Sequence, residues 1–439
     1  MEELKILENN LKTKRENLLI RAIKGRAKTF FDTGHYHCAM DDYQQLQKLY
    51  THNNKLMCEV LFEIGFIHEQ LGHHKKGKPF YEKVYNIALK EKLPFWKGRS
   101  LIGKAFVSYL DGDHHSALKL SNKSLHTFKT IVSEDKNMAE KINKNIASVL
   151  NNLGVIYLRL GKYKKSEDMF NKSVAIDKKI GDKLQEGKKY NNIGVIYRNR
   201  NMHKKALQYY LRALKIFEEL EANHDRASVL NNIGLTHYYL GNYTTSLEYL
   251  NLSLKISETL GLKRNIGSAL HNIANVYYDT EKHKRAYKLY MKSIETKKSI
   301  DDKWGVAMTQ KSIADMYKNL EDYQNALKNY HSALSTWKAI RNNRGIALIY
   351  LKIAEIHASQ KNPEQALQYL ERAILFAKKE EIETEIYRTF CIISRILKNK
   401  EKTKKAQGFM TEAKVVFKKL GAKGLLSKIE NQQNHQAKN

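Results

Sequence analysis

One spacing constrains this chain more than any other feature. Small residues recur every 40 positions: Gly154, Gly194, Gly234, Ala274, Ala314, Ala354 and Ser394. Leu153 precedes the first and an isoleucine each of the others, from Ile193 to Ile393. Twelve positions after each anchor stands a second small residue (Ser166, Ala206, Ser246, Ala286, Ala326, Ala366, Ala406). Sixteen positions after it comes a large one (Phe170, Tyr210, Leu250, Tyr290, Tyr330, Leu370, Met410), and nineteen after it a third small one, from Ser173 to Ala413. The first third fits less fully, through Ala27 with Ala39 and Tyr43, Gly65 with Gly77 and Tyr81, and Ala105 with Ala117, Ser121 and Ser124. A fixed period with no slippage across most of the chain means one supersecondary unit used repeatedly, here ten times.

The unit is a pair of helices. Leu150, Leu153, Gly154 and Tyr157 follow the i, i+3, i+4, i+7 pattern of an amphipathic helix. The chain has 3 Pro and 22 Gly in 439 residues, too few breakers for anything but long helices. A chain of this length exceeds what one compact core sustains. One pair cannot bury its own apolar face, so successive pairs must stack. The expected fold is all-α, a solenoid of about ten helix pairs over roughly residues 16–423, without strands and turning near residues 161, 201, 241, 281, 321 and 361. One interval is irregular. Ala105 to Gly154 is 49 residues, and the excess in 126–150 keeps a helical pattern, which predicts a lengthened pair. The expected organisation is therefore 1–140 with three divergent repeats, 141–423 with seven regular ones, and 424–439 as a capping helix and disordered tail.

Charge and cysteine usage narrow the setting. A formal charge of +31 is compatible with nucleic acid, an anionic surface or an acidic protein, and equally with a solvated lysine-rich exterior. Cys38, Cys58 and Cys391 are too few and scattered for a disulfide framework. No signal-peptide core or long apolar run is present, so a cytoplasmic protein is expected.

The L-G-x-x-Y…A…F/Y…A pattern resembles the tetratricopeptide repeat. Two departures are a period of 40 rather than 34 and the missing proline at the repeat end. The longer period is similar to that of kinesin light chains, of spindle-orienting mitotic adaptors and of bacterial peptide-sensing regulators of the Rap kind. The resemblance implies a right-handed superhelix whose first helices line a concave groove. It also implies binding of a protein or peptide.

On that face, positions −6, −2, +1 and +5 from the anchor align, with −3 and +4 at the edge. Position −2 carries Asn152, Asn192, Asn232 and Asn272, and position −3 carries Asn151, Asn191, Asn231 and His271. A carboxamide both donates and accepts, so such a ladder can pair with the main chain of an extended peptide, as the resemblance implies. It can equally tie neighbouring helices together, and the sequence leaves both readings open. Lys188, Arg159, Arg198, Asn199, Tyr238, Tyr239, Asn275 and Tyr278 surround the ladder and suit an acidic peptide with apolar anchors.

Other candidates carry little. His73-His74, His114-His115 and His35-x-His37 lack the spacing of a zinc site. Cys391 reads as packing, as do Trp96, Trp304 and Trp337. No Gly-rich phosphate loop or GxSxG motif occurs, so neither enzyme activity nor a cofactor or metal is expected. Three functions follow in order: a scaffold or adaptor holding an extended or helical partner segment, a Rap-like regulatory peptide receptor, and an RNA-binding repeat protein. The last lacks a base-reading ladder.

Overall fold

The structure is a computed structural model, and it describes residues 18–377 except 32, 51 and 52, together with 411 and 415. Every described element is a helix, and the helices follow one another in pairs: α1 (18–31) with α2 (Tyr36–Leu49), α3 (Asn54–Gln70) with α4 (His74–Lys90), α5 (Pro94–Leu110) with α6 (His114–Lys129). Then come α7 (Lys136–Arg159) with α8 (Tyr163–Ile180), α9 (Lys183–Asn199) with α10 (His203–Glu219), and α11 (Asn223–Tyr239) with α12 (Tyr243–Thr259). The last three pairs are α13 (Lys263–Asp279) with α14 (His283–Lys298), α15 (Lys303–Asn319) with α16 (Tyr323–Ala339), and α17 (Asn343–Ser359) with α18 (Pro363–Ala377). This is the expected tetratricopeptide-type helix-pair stack. The tenth repeat around Ser394, Cys391, and the capping segment and tail lie outside the described residues. The chain divides into two compact units, Met1–Ala222 and Asn223–Asn439.

The small residues mark where helix backbones meet. A Cβ placed on Gly154 would come within 2.7 Å of the Phe170 ring, and one on Gly194 within 2.5 Å of Tyr210. The large side chain sixteen positions on thus lies directly over the anchor, and Phe170, Tyr210, Tyr290 and Tyr330 are fully buried. Where the +12 residue is serine, its hydroxyl donates to the anchor's carbonyl, Ser166 to Gly154 at 2.6 Å and Ser246 to Gly234 at 2.8 Å. The +19 residue serves a second crossing, at position −7 of its own pair's first helix. Ser173 donates to the Ala147 carbonyl, Ser253 to Ala227 and Ser293 to Gly267, at 2.6–2.8 Å. Each serine satisfies itself inside the contact that its small size permits.

Successive first helices touch one another, α3–α5–α7–α9 in the first unit and α11–α13–α15 in the second, whereas second helices have no comparable mutual contact. Closer spacing on one side bends a stack toward that side, so the first helices line the inner side of each unit. Lys164, Lys165, Lys204, Lys205, Lys284 and Lys288 on second helices are all exposed. The irregular interval appears as the connection 130–135 and a 24-residue α7 where other first helices from α3 onward have 17. Trp96 and Trp337 are buried as expected, but Trp304 is 48% exposed. It sits in the first turn of α15 and meets Trp337 edge-on at 6.0 Å, so packing covers one side of the ring.

The turns obey half the repeat. Residues 161, 181, 201 and every twentieth one to 361 have positive φ, from 50° to 77°. In each, the chain leaves one helix through a left-handed residue and enters the next at once. At Glu321 the amide of Asp322 reaches the Tyr317 carbonyl (2.9 Å), and the Asp322 carboxylate accepts from the Asn325 amide (3.1 Å). Asn201, Glu221, Glu281, Asp301, Glu321, Arg341 and Lys361 hold this conformation without being glycine, which costs each about 1 kcal/mol. Glu321→Gly is therefore expected to stabilise the chain by about 0.5–1 kcal/mol, and Gly241→Ala to destabilise it by a similar amount. Urea melts of the two variants check both signs.

Candidate peptide-binding groove

The asparagine ladder lies on the first helices, half-buried except for Asn272, which is buried. Its members bond across repeats. The Asn192 Nδ2 donates to Asn151 Oδ1 at 3.2 Å in the first unit, and the Asn272 Nδ2 donates to Asn231 Oδ1 at 3.0 Å in the second. Each rung thus ties the −2 residue of one first helix to the −3 residue of the preceding one. The tie consumes half of each carboxamide. Asn151 and Asn231 keep the Nδ2 donor, and Asn192 and Asn272 keep the Oδ1 acceptor, with no other partner among the described residues. A rung therefore presents one donor and one acceptor, the two groups a peptide unit requires. Asn152 has no earlier asparagine to meet, because Ile102 stands at the −3 position of α5, and it makes no hydrogen bond among the described residues. Asn191, Asn232, Lys188 and Arg198 have interaction partners.

The surrounding residues are more engaged than their sequence positions imply. The exposed Arg159 donates its Nε to the Tyr109 hydroxyl (2.9 Å) and forms no ion pair among the described residues. The Asn275 Oδ1 accepts from the Tyr290 hydroxyl (2.7 Å), and Tyr278 accepts from Asn319 (2.7 Å). Burial and the neighbouring Asp279 carboxylate push the Tyr238 phenol above its ordinary range. Further along the second unit, the buried Glu355 accepts from Lys318 (2.7 Å) and Lys352 (3.0 Å), while Lys311 pairs with Asp315.

The +1 row explains a hydroxyl. The buried tyrosine at +16 aims its OH toward +1. Tyr290 finds Asn275 there and Tyr330 finds Asp315, but for Tyr210 the +1 residue is Val195, and its buried hydroxyl has no partner among the described residues.

Two buried charged positions had no signal in the repeat pattern. Asp177 and Lys189, 1% and 3% exposed, pair at 3.3 Å between α8 and α9. Burial raises the Asp177 carboxyl and lowers the Lys189 ammonium, and each opposes the other's shift. Lys297 occupies the position of Asp177 three repeats later, 4% exposed, where the residue facing it is Thr309 rather than lysine. Its Nζ donates to Thr309 Oγ1 at 2.8 Å, and burial lowers its pKa to about 8 against a partial offset from Asp302. Thr309 donates to the Gly305 carbonyl (2.9 Å), so His271 must donate its Nδ1–H to Thr309 (3.1 Å). That tautomer leaves Nε2 as an acceptor, and burial followed by the Lys297 and Lys311 charges keeps the ring neutral, at about 3.

Among the described residues, no group of three His, Cys, Asp or Glu side chains is placed to hold a metal, and no helix is long and apolar enough to cross a membrane.

The tetratricopeptide repeat model matches residues 145–219, 225–299 and 305–379, more than half of the chain, and a second model of the same repeat matches 59–91. The chain belongs to the tetratricopeptide repeat family. No curated protein matches it in sequence. Among solved structures it is similar to aspartyl phosphate phosphatase F from Bacillus subtilis (14% identity, 69% of this chain and 75% of that one, TM-score 0.53). It is also similar to the quorum sensor NprR from B. thuringiensis (18%, 82% and 100%, TM-score 0.52) and to a Rap protein complexed with competence and sporulation factor (15%, 79% and 99%, TM-score 0.51). At these identities the likeness is one of fold.

Two measurements test the buried polar groups. Tyr330→Phe is expected to cost about 1–3 kcal/mol by removing one of the two partners of the Asp315 carboxylate, while Tyr210→Phe leaves stability unchanged or raised. For Lys297, the unfolded chain binds the proton more tightly than the folded one. Stability should therefore rise as pH climbs from about 8 toward 10.5, by up to ~3 kcal/mol. Denaturation against pH should lose this component in Lys297→Met, which should also be the more stable protein at pH 7.

Proposed function

We propose that the protein is a non-catalytic, cytoplasmic adaptor whose first-helix faces hold a segment of a partner protein. The observation that carries this reading is the half-used carboxamide of each rung. Asn151 with Asn192, and Asn231 with Asn272, each leave one donor and one acceptor without a partner among the described residues. Tie and binding site are then one device, since the inter-helix bond fixes the orientation of the half that meets the ligand. In the first unit Lys188, Arg198 and Arg159 add positive charge about the Asn151–Asn192 rung and favour an acidic segment, and in the second unit Tyr238 and Asn275 flank the Asn231–Asn272 rung in sequence.

A second reading is a regulatory peptide receptor. It draws support from similar solved structures, among them the Rap protein with competence and sporulation factor and a plasmid Rap conjugation regulator with its Phr* peptide. In that case a short ligand would also change the dimensions of the protein in solution scattering, which an adaptor's ligand need not do. Nucleic-acid binding near physiological salt is expected to be weak and sequence-independent, since most of the lysine charge singled out on second helices faces outward.

The test separates ligand contact from structure. Asn152→Ala is expected to weaken capture of the native partner by about 1–3 kcal/mol without lowering Tm, because its carboxamide makes no hydrogen bond among the described residues. Asn272→Ala should weaken capture and lower Tm together, since it also removes a tie. Normal capture by both variants in a nuclease-treated pull-down would place the ladder outside the binding surface.

A further inference from the structure

The inner face of the first unit changes character between α3 and α7. The +1 row reads Lys28, Phe66, Phe106, Val155, and the neighbouring positions of α5 add Ile102 and Leu110. Phe106 is 36% and Leu110 44% exposed, and Phe66, Ile102 and Val155 are partly exposed. Phe31 at the end of α1 stacks on Phe66 at 5.5 Å, which carries the apolar strip across the first boundary. In the second unit the same row is Leu235, Asn275, Asp315 and Glu355, and its polar members bond within the protein. The aromatic part of the row is therefore confined to α3 and α5, while Val155, Val195 and Leu235 keep the row apolar with half-buried side chains before it turns polar at Asn275.

Its chemistry sets what can lie on it. α3 and α5 carry no asparagine at −2 or −3, where Phe62, Glu63, Ile102 and Gly103 stand, so this surface offers no carboxamide to a bound main chain. A segment docked here must satisfy its own backbone groups, as a helix does and an extended strand does not. The charges are arranged about the strip. Glu59 is neutralised by Lys24 (2.8 Å), and Glu63 lies 3.6 Å from Arg99, whose guanidinium sits over the Phe62 ring. Burial lifts the Glu69 carboxyl to about 7, so it carries part of a charge at neutral pH. Two exposed cations with no carboxylate partner among the described residues flank the α3–α5 stretch, Lys28 on α1 and Arg159 at the end of α7.

We propose that this strip docks an amphipathic helix of a partner protein, apolar along one face and acidic at both ends. The apolar side chains meet Phe66, Phe106 and Leu110, and the acidic ends meet Lys28 and Arg159. The proposal rests on the reading that the inner face holds a protein segment, and it adds a helical anchoring site ahead of the asparagine rungs.

The probe is a synthetic helical peptide with leucines along one face and glutamates at both ends, titrated by fluorescence anisotropy against the full chain at about 150 mM salt. Binding is expected, weakened about tenfold by Phe106→Ser and separately by Leu110→Ser, with circular dichroism and Tm establishing that each variant is folded. Lys28→Glu with Arg159→Glu should weaken it similarly and restore affinity for the same peptide bearing lysine ends. Asn152→Ala should leave it unchanged. Binding that ignores Phe106→Ser and the charge reversal but is lost in Asn152→Ala would overturn the strip and leave the groove reading standing. No binding of the peptide would overturn the strip, and capture of the native partner unaltered by both Asn152→Ala and Asn272→Ala would remove the groove reading as well. Self-association of the chain that Phe106→Ser abolishes would assign the strip to a second copy instead and overturn the proposal.

Discussion

The close crossing of two helix backbones at a small residue is the contact on which the rest of this structure depends. Gly154, Gly194 and Gly234 let the partner side chain lie where a Cβ would stand, and Ser166 and Ser246 bond the carbonyl exposed at that crossing. A larger residue at any of these positions would push the pair apart and open a gap around a fully buried side chain. The second crossing, at position −7, fastens the same two helices nearer the start of the first. With two fixed crossings per pair, the first helix keeps the same face inward in every repeat. The inner surface is then a set of aligned rows whose chemistry each repeat can vary independently.

Those rows show an economy in buried polar groups. An asparagine inside a helix is a weak helix former. Here its carboxamide bonds the next repeat and still leaves one hydrogen-bonding group without a partner among the described residues. Toward the second unit's later repeats the same surface is occupied by ion pairs and tyrosine bonds that are complete within the protein. Polar groups satisfied internally add specificity to stacking but give a ligand little to replace, whereas half-satisfied ones reward a ligand that completes them.

The two buried lysines illustrate how one scaffold tolerates opposite solutions. Lys189 meets a carboxylate across the interface between pairs, and Lys297 meets a threonine hydroxyl. The aliphatic part of Lys297 packs beside Gly267 and Gly305, where a Cβ would fall 2.9 Å from its side-chain carbons. The stem is well accommodated while the ammonium is not, which is why burial dominates its protonation.

The sequence determined the repeat, the pairing of helices, the turn positions and the face on which the asparagines stand. All of these follow from local periodicity and from residue size, and a 40-residue period written seven times without slippage admits one arrangement of neighbours. The half-period of left-handed turns was only partly legible, because glutamate, arginine and lysine share a conformation that glycine marks elsewhere. Tertiary structure alone decided which half of each carboxamide is consumed, that Lys189 rather than its neighbour Lys188 is buried, that Trp304 is exposed, and that the Tyr210 hydroxyl goes unpaired. Each of these depends on which atom of an adjacent repeat lies within bonding distance. Residue type and spacing place a side chain on a face, but its partner comes from packing between repeats some 40 residues apart.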